Sequence, residues 1–335
     1  MQPDHNSIPE LALHWVSQGH KIAMATVIET WGSAPRPVGA QLVIREDSEF
    51  AGSVSGGCVE AAVVVEALDA IVNGKARVLE FGVSDDEAFA VGLACGGNIR
   101  IMVTPVGLGQ GPDISVLEQA VAAKRSRVPL AWITDVHTWQ SWVSTDQVDP
   151  LAGDLSARFR SNKSGFEDTN FVAIHNPPLK LIIVGAVHIA QSLIPMAIIA
   201  GYGVTLVDPR EAFASATRFP KQTIYHDWPD AALNDIGVDA RTAVVTLSHD
   251  PKIDDPAILE TLKTSAFYLG SLGSRKTHAK RVARLESANI PAAQISRIHA
   301  PVGLAIGAKS PAEIAVSILA EITDCLHNRE VETQK

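Results

Sequence analysis

Residues Leu181–Asp208 read LIIVGAVHIAQSLIPMAIIAGYGVTLVD, and this stretch decides the fold of the second half of the chain. LIIV and VTLV are short, unbroken apolar runs, the pattern of parallel strands buried on both faces. Gly185 marks a tight turn after the first, and 188–200 reads as a helix. Leu181–Val207 holds no Asp, Glu, Lys or Arg, and it is long enough to cross a bilayer. Its texture argues against that. His188, Gln191 and Ser192 interrupt it, Pro195 is expected to break the helical ladder, and Gly185, Gly201 and Gly203 cut it into short pieces.

Working outward, Gly185-Ala186-Val187-His188-Ile189-Ala190 stands where a dinucleotide fold carries its G-x-G-x-x-G/A turn. Gly185 and Ala190 fit the first and third positions. Val187 occupies the second, where a side chain obstructs the pyrophosphate. Asp208, at the end of the second strand, matches the acid that binds ribose hydroxyls, or else it caps the next helix. Further strands are expected near 222–226, 241–247, 266–270 and 297–300. Helices are expected near 211–216, 228–235, 253–264, 274–287 and 310–326. The alternation predicts a doubly wound parallel sheet.

Polar residues gather where these strands end. His249-Asp250 reads as a base with its orienting carboxylate or as a structural pair. Gly270-Ser271-Leu272-Gly273-Ser274-Arg275-Lys276 joins glycines, hydroxyls, a helix N-terminus and two cations, which suits an anion. The same loop also reads as a serine cap with solvated cations. Cys325, late in an amphipathic helix, is expected in the core.

Pro177-Pro178 stiffens the chain ahead of this pattern and sets the domain boundary, giving domains at 1–176 and 179–335. In the first, 8–18 reads as an amphipathic helix. Strands are expected at 21–29, 41–45, 76–81, 130–136 and 171–175, and 113–124 as a helix capped by Asp113. The polar stretch 145–170 reads as turns. In TWGSAPRPVGAQLVI, Arg36 is held between two prolines, either as an anion contact or as a solvated loop cation.

GSVSGGCVEAAVVVEAL (Gly52–Leu68) runs from a glycine-rich turn into an apolar helical pattern. With Ser55 as N-cap and Glu60 at the positive end of the dipole, Cys58 falls in the first helical turn, where free N–H groups favour a thiolate. Gly56 and Gly57 leave the sulfur open to close approach. The alternative is a small apolar cysteine packed under a turn. GLACGGNIRIMV repeats the theme, with Cys95-Gly96-Gly97 leading into a strand. Neither cysteine has a Cys or His at the spacing of a structural zinc site.

The 335 residues are 46% hydrophobic and 19% charged, an ordinary globular composition with room for two cores. Acidic residues outnumber basic ones, 37 to 28, and no Lys/Arg-rich run appears, which argues against nucleic-acid binding. Three cysteines are too few for a disulfide framework. MQPDHNSIPE lacks the features of a signal peptide, so a reducing cytoplasm is the expected compartment.

Together WGSAPRPVGAQLVI, SGGCVE, LACGGNI, GAVHIAQ, DPR at 208–210, SHDPKIDDP, YLGSLGSRKTH and PVGLAIGAKSPAEIA resemble the XdhC/CoxI family of molybdenum-cofactor maturation proteins. The resemblance implies an α+β XdhC/CoxI domain followed by a Rossmann-like α/β domain. It implies an accessory protein rather than a stand-alone enzyme, one that binds molybdenum cofactor, assists its sulfuration and delivers it to a xanthine dehydrogenase-type molybdoenzyme. A cysteine desulfurase is implied as sulfur donor. Cys58 and Cys95 are then the candidates for the catalytic thiols and for holding the molybdenum end, with Arg36, Gly56, Gly57, Gly96 and Gly97 around them. Gly185, His188, Asp208, Gly270, Ser271, Gly273, Ser274 and Arg275 are the candidates for the pterin phosphate or its nucleotide, at a site expected between the domains. Val187 argues against ordinary NAD(P) binding, and a nicotinamide-dependent oxidoreductase is the competing reading. Whether the chain forms a homodimer is left open by the sequence.

Overall fold

The computed structural model describes residues 8–32, 34–57, 59–82 and 97–328. The chain divides into two compact units, Met1–Pro177 and Pro178–Lys335. The first opens with α1 (Ile8–Ser17), β1 (Ile22–Trp31), β2 (Gln41–Arg45), β3 (Phe50–Gly52), α2 (Glu60–Asn73), β4 (Arg77–Phe81) and β5 (Asn98–Pro105). It continues with α3 (Ile114–Arg125), β6 (Leu130–Asp135), β7 (Ser141–Ser144), β8 (Val148–Asp149), β9 (Gly153–Asp154), α4 (Leu155–Ser161), β10 (Gly165–Glu167) and β11 (Asn170–His175).

The strand β1 is the spine of an antiparallel sheet ordered β3-β2-β1-β5-β4. Its pleat sends Ala23, Ala25 and Val27 to one face, where α2 packs Val63, Ala67 and Ala70 against them. Small residues on both surfaces let the helix lie close. Ile22, Met24 and Ile28 point the other way, into a second core closed by α1, α3 and the four-stranded sheet β10-β11-β6-β7. Each fully buried Ile or Val there contributes about 1.5–3 kcal/mol.

The stretch 145–170, expected as turns, holds β8, β9, α4 and β10. These pieces are short and are fixed by pairings such as Gly165 with Val172 and Val148 with Asp154, which leave no periodic trace in the sequence. Asp113 does stand at the N-cap of α3, but its side chain makes no capping bond.

The second unit comprises β12 (Lys180–Val184), α5 (His188–Ile199), β13 (Gly203–Val207), β14 (Thr223–Tyr225), α6 (Pro229–Ile236), β15 (Thr242–Thr246) and α7 (Pro251–Leu262). After these come β16 (Tyr268–Ser271), α8 (Arg275–Ser287), α9 (Ala292–Ile295), β17 (Ile298–His299) and α10 (Pro311–Asn328). All strands of its sheet are parallel, in the order β14-β13-β12-β15-β16-β17. Leu181 and Ile183 face the core shared with α5 and α10, while Ile182 and Val184 face α6, α7 and α8. This is a doubly wound Rossmann-like sheet, whose order reverses between β12 and β15.

The charge-free span is therefore strand, helix and strand, and among the described residues no helix is long and apolar enough to cross a membrane. Pro195 does not break α5, which runs through it. Gln191 and Pro195 both lie on the exposed face, so the carbonyl that the proline leaves unpaired is turned toward water. The helix expected at 211–216 is a series of turns instead. Tertiary contact overrides local propensity there, since Arg218 Nη1 reaches back to donate to the Ala186 carbonyl at 2.9 Å.

Candidate functional site

In the first unit, antiparallel pairing brings several strand ends to one end of the five-stranded sheet. Thr26 pairs with Gln41, Leu42 with Gly52, Trp31 with Asn98 and Phe81 with Ile99. The chain therefore leaves β1, β3 and β4 and enters β2 and β5 at the end of the sheet where β1 finishes. The sequence segments 32–40, 53–59 and 82–97 join these ends. They carry Arg36, Gly56 with Gly57, and Gly97. Cys58, Cys95 and Gly96 lie outside the described residues.

The loop before α2 closes on its own carboxylate. Glu60 Oε1 accepts from Ser53 Oγ at 2.9 Å, Val54 N at 3.2 Å, Ser55 N at 2.9 Å and Gly56 N at 3.0 Å. Its Oε2 accepts from Gly57 N at 2.8 Å and from the Ser55 hydroxyl. Gly56 (φ +88°) and Gly57 (φ +120°) supply the left-handed turns that aim consecutive N–H groups inward, the geometry of an anion nest. Burial alone pushes the Glu60 carboxyl up. The Ser55 hydroxyl and N–H and the Ser53 hydroxyl outweigh it and hold the group down at about 2.

One expectation changes as a result. Val59, not Ser55, is the N-cap of α2, whose first residue is Glu60. Ser55 serves Glu60 and accepts from Val59 N at 3.1 Å. The amides of Gly56 and Gly57 are engaged by a resident carboxylate. Arg36 joins this network, its Nε donating to Ser53 Oγ at 3.1 Å. A Cβ on Gly56 would lie 3.5 Å from Pro35 Cβ, which shows how closely the two loops pack. Gly97 is buried just before β5.

In the second unit the parallel strands present their polar ends at one rim. Gly185 (φ +112°) passes so close to β15 that a Cβ there would sit 2.7 Å from the Ser248 amide nitrogen. Asp208 is fully buried. One of its oxygens accepts from Ala186 N at 2.8 Å, and its carboxylate takes Arg210 Nε at 2.8 Å and Nη2 at 2.7 Å. Burial raises the Asp208 carboxyl, but the Arg210 guanidinium and the Ala186 amide hold it below the usual range. The carboxylate in the ribose position is thus turned to its own chain, and one amide of the glycine turn is already engaged. His188, the first residue of α5, is exposed.

Gly270 lies within β16, where a Cβ would collide with Val302 and Tyr268. Ser271 is buried, its hydroxyl 2.6 Å from that of Thr246 on the neighbouring strand. Gly273 (φ +145°) turns the chain into α8, Ser274 caps that helix by accepting from Thr277 N at 3.2 Å, and Arg275 is exposed. Asp250 caps α7 by accepting from Lys252 N at 2.9 Å, so it does not orient His249.

One cluster had no signal beyond an i, i+4 pair on α10. Cys325, expected in the core, is half-buried at its margin, with Sγ 3.6 Å from His299 Nε2. His299 Nδ1 lies 3.3 Å from Glu321 Oε1, the Tyr268 hydroxyl donates to Glu321, and the Tyr268 and His299 rings stack. Cys325 and then Glu321 raise the imidazole to about 9. Among the described residues no three His, Cys, Asp or Glu side chains converge to hold a metal ion.

Known proteins carry the same architecture. The model for the XdhC Rossmann domain matches residues 181–322, and that for the XdhC and CoxI family matches residues 15–82. The molybdenum cofactor insertion chaperone PaoD of Escherichia coli (strain K12) is 30% identical over 328 residues, which cover 98% of this chain and 91% of PaoD. A Bacillus subtilis (strain 168) protein named as a probable xanthine dehydrogenase subunit is 27% identical over 308 residues, covering 89% of this chain and 91% of its own. A crystal structure described as a xanthine dehydrogenase from Bacillus halodurans matches with a TM-score of 0.71 at 23% identity, over 98% of this chain and 97% of that one. At that identity the likeness is one of fold.

Proposed function

The chain belongs to the XdhC and CoxI family, and from that premise we propose that it carries molybdenum cofactor as cargo. In this reading it assists sulfuration of the cofactor and its insertion into a xanthine dehydrogenase-type molybdoenzyme in the cytoplasm, with a cysteine desulfurase supplying the sulfur. The similarity to PaoD along nearly its whole length supports the carrier role.

The observation that most supports a site in the first unit is the anchored loop before α2. Glu60 gathers the amides of residues 54–57, and Arg36 donates to the Ser53 hydroxyl of the same loop. Cofactor of this kind is soft at its dithiolene and sulfido groups, and thiolates are the protein ligands matched to such centres. Cys58 and Cys95 would supply them, each beside a pair of glycines that leaves room for a bulky ligand. The second unit would hold the phosphate-bearing end at the carboxyl rim of its sheet.

Anaerobic purification followed by molybdenum and pterin analysis tests the proposal, together with activation of a xanthine dehydrogenase-type partner. Wild-type protein is expected to retain both molybdenum and pterin. Cys58→Ala is expected to fold and to lose activation of the partner. Full activation by both Cys58→Ala and Cys95→Ala, or material free of pterin, would overturn it.

A further inference from the structure

Between the first turns of α7 and α8, at the carboxyl rim of the six-stranded sheet, lies a pocket of about 220 Å³. His249, Asp254, Lys276, Lys280, Arg281 and Arg284 are among its lining residues. It is smaller than the roughly 300–1,000 Å³ of sites that enclose a whole organic ligand, so it suits a compact charged group.

The charges on its walls do not cancel. Arg284 is spent on Asp255, with Nε–Oδ2 and Nη2–Oδ1 distances of 2.6 and 2.9 Å. Asp254 is 1% exposed and accepts from the Ser248 hydroxyl at 2.7 Å, while burial pushes its carboxyl up. Lys276 and Lys280, one turn apart on α8, are exposed, and among the described residues neither has an ion-pair partner.

Arg281 decides the matter. It is only 2% exposed, yet its guanidinium makes a single hydrogen bond, Nη2 to the Leu272 carbonyl at 3.1 Å. Nε and Nη1 are buried without any partner, and no described carboxylate stands within ion-pair distance. Buried guanidinium donors are rarely left unmatched, because stripping their water without replacing it is costly. Nε and Nη1 lie on different edges of the guanidinium, and each has a hydrogen left to give to an oxygen of a phosphate or carboxylate. No protein acceptor meets either, and two unpaired ammonium groups stand on the same helix.

We propose that this pocket binds the phosphate of a phosphate ester, with Arg281 as the buried charged contact and Lys276 and Lys280 completing the charge. If the carrier reading above holds, the ester is the phosphate end of the pterin cargo, and the inference rests on that reading only for the ligand's identity. Recognition then depends on side chains of α8 rather than on the glycine turn at Gly185, whose Ala186 amide already serves Asp208.

Inorganic pyrophosphate titrated into the full chain, followed by calorimetry and by the rise in melting temperature, tests this. Saturable binding is expected, weakening as salt is raised. Arg281→Gln should bind at least about tenfold more weakly, the loss of a charge-assisted pair. The Lys276→Ala/Lys280→Ala variant changes only exposed side chains. It should keep the wild-type melting temperature without ligand and bind several-fold more weakly. No saturable binding by the wild type, or wild-type affinity in the double-lysine variant, would overturn the pocket. Pterin retention is scored separately: pyrophosphate binding without pterin sinks the carrier reading alone, and retained pterin without pyrophosphate binding sinks the pocket alone.

Discussion

Glu60→Gln is the sharpest probe of the first unit. The substitution keeps size and helix position but replaces a carboxylate that accepts six hydrogen bonds with an amide whose NH2 group faces donors. Folding moves the carboxyl from 4.5 to about 2, which corresponds to about 3 kcal/mol at neutral pH. For a unit of this size that lowers the melting temperature by about 6–12 °C. Trp15, Trp31, Trp132, Trp139 and Trp142, of six tryptophans in all, lie in the first unit, so fluorescence-detected denaturation reports on it directly. Because the folded pKa is depressed, the contribution is complete above about pH 4.5 and disappears as pH falls toward 2. Wild type and variant should therefore differ at pH 7 and converge in acid. A midpoint at pH 7 equivalent to less than about 0.5 kcal/mol of difference, within the range of ordinary surface changes, would refute the reasoning.

Three further outcomes are expected. His299 is raised from 6.5 to about 9, so its stabilising effect is complete below about 6.5 and is lost as pH rises through 9. NMR titration should place the imidazole midpoint near 9, and His299→Gln should flatten the alkaline decline in stability. Gly185→Ala forces a methyl to 2.7 Å from the Ser248 amide nitrogen at φ +112° and should cost about 2–3 kcal/mol by urea denaturation. Arg210→Met strands the buried Asp208 carboxylate and should cost about 3 kcal/mol, with Asp208→Asn in the same background restoring part of the loss.

The second unit was largely legible in the sequence because its strands are buried on both faces. Runs such as LIIV and TAVVT can hardly be anything else once helices alternate between them. The turns at 211–219 escaped because Arg218, not local propensity, decides their path. In the first unit the strands of 141–167 are too short for periodicity to register, and they pair in small local hairpins that leave no pattern in the sequence.

At the candidate sites, residue type was easier to read than role. Ser55 and Asp113 look like helix caps, yet one serves a carboxylate and the other makes no capping bond. Glu60 could be placed at a helix start, but not that it would gather the amides of the preceding loop. Arg281 was invisible as a ligand group, because a guanidinium with two unmatched nitrogens shows only when every neighbouring acceptor has a position.

The Asp208–Arg210–Ala186 knot bears on the history this fold could have. Glycine at 187 alone would leave the neighbouring amide engaged, and removing Asp208 alone would strand Arg210. Releasing Arg210 alone would bury a naked carboxylate, with Arg218 still fixing the Ala186 carbonyl. A path toward nucleotide-dependent chemistry therefore needs several coordinated replacements, and the intermediates that break the ion pair are less stable than the start. The arrangement works as a ratchet: the ties among Asp208, Arg210 and Ala186 are released together or at a cost in stability.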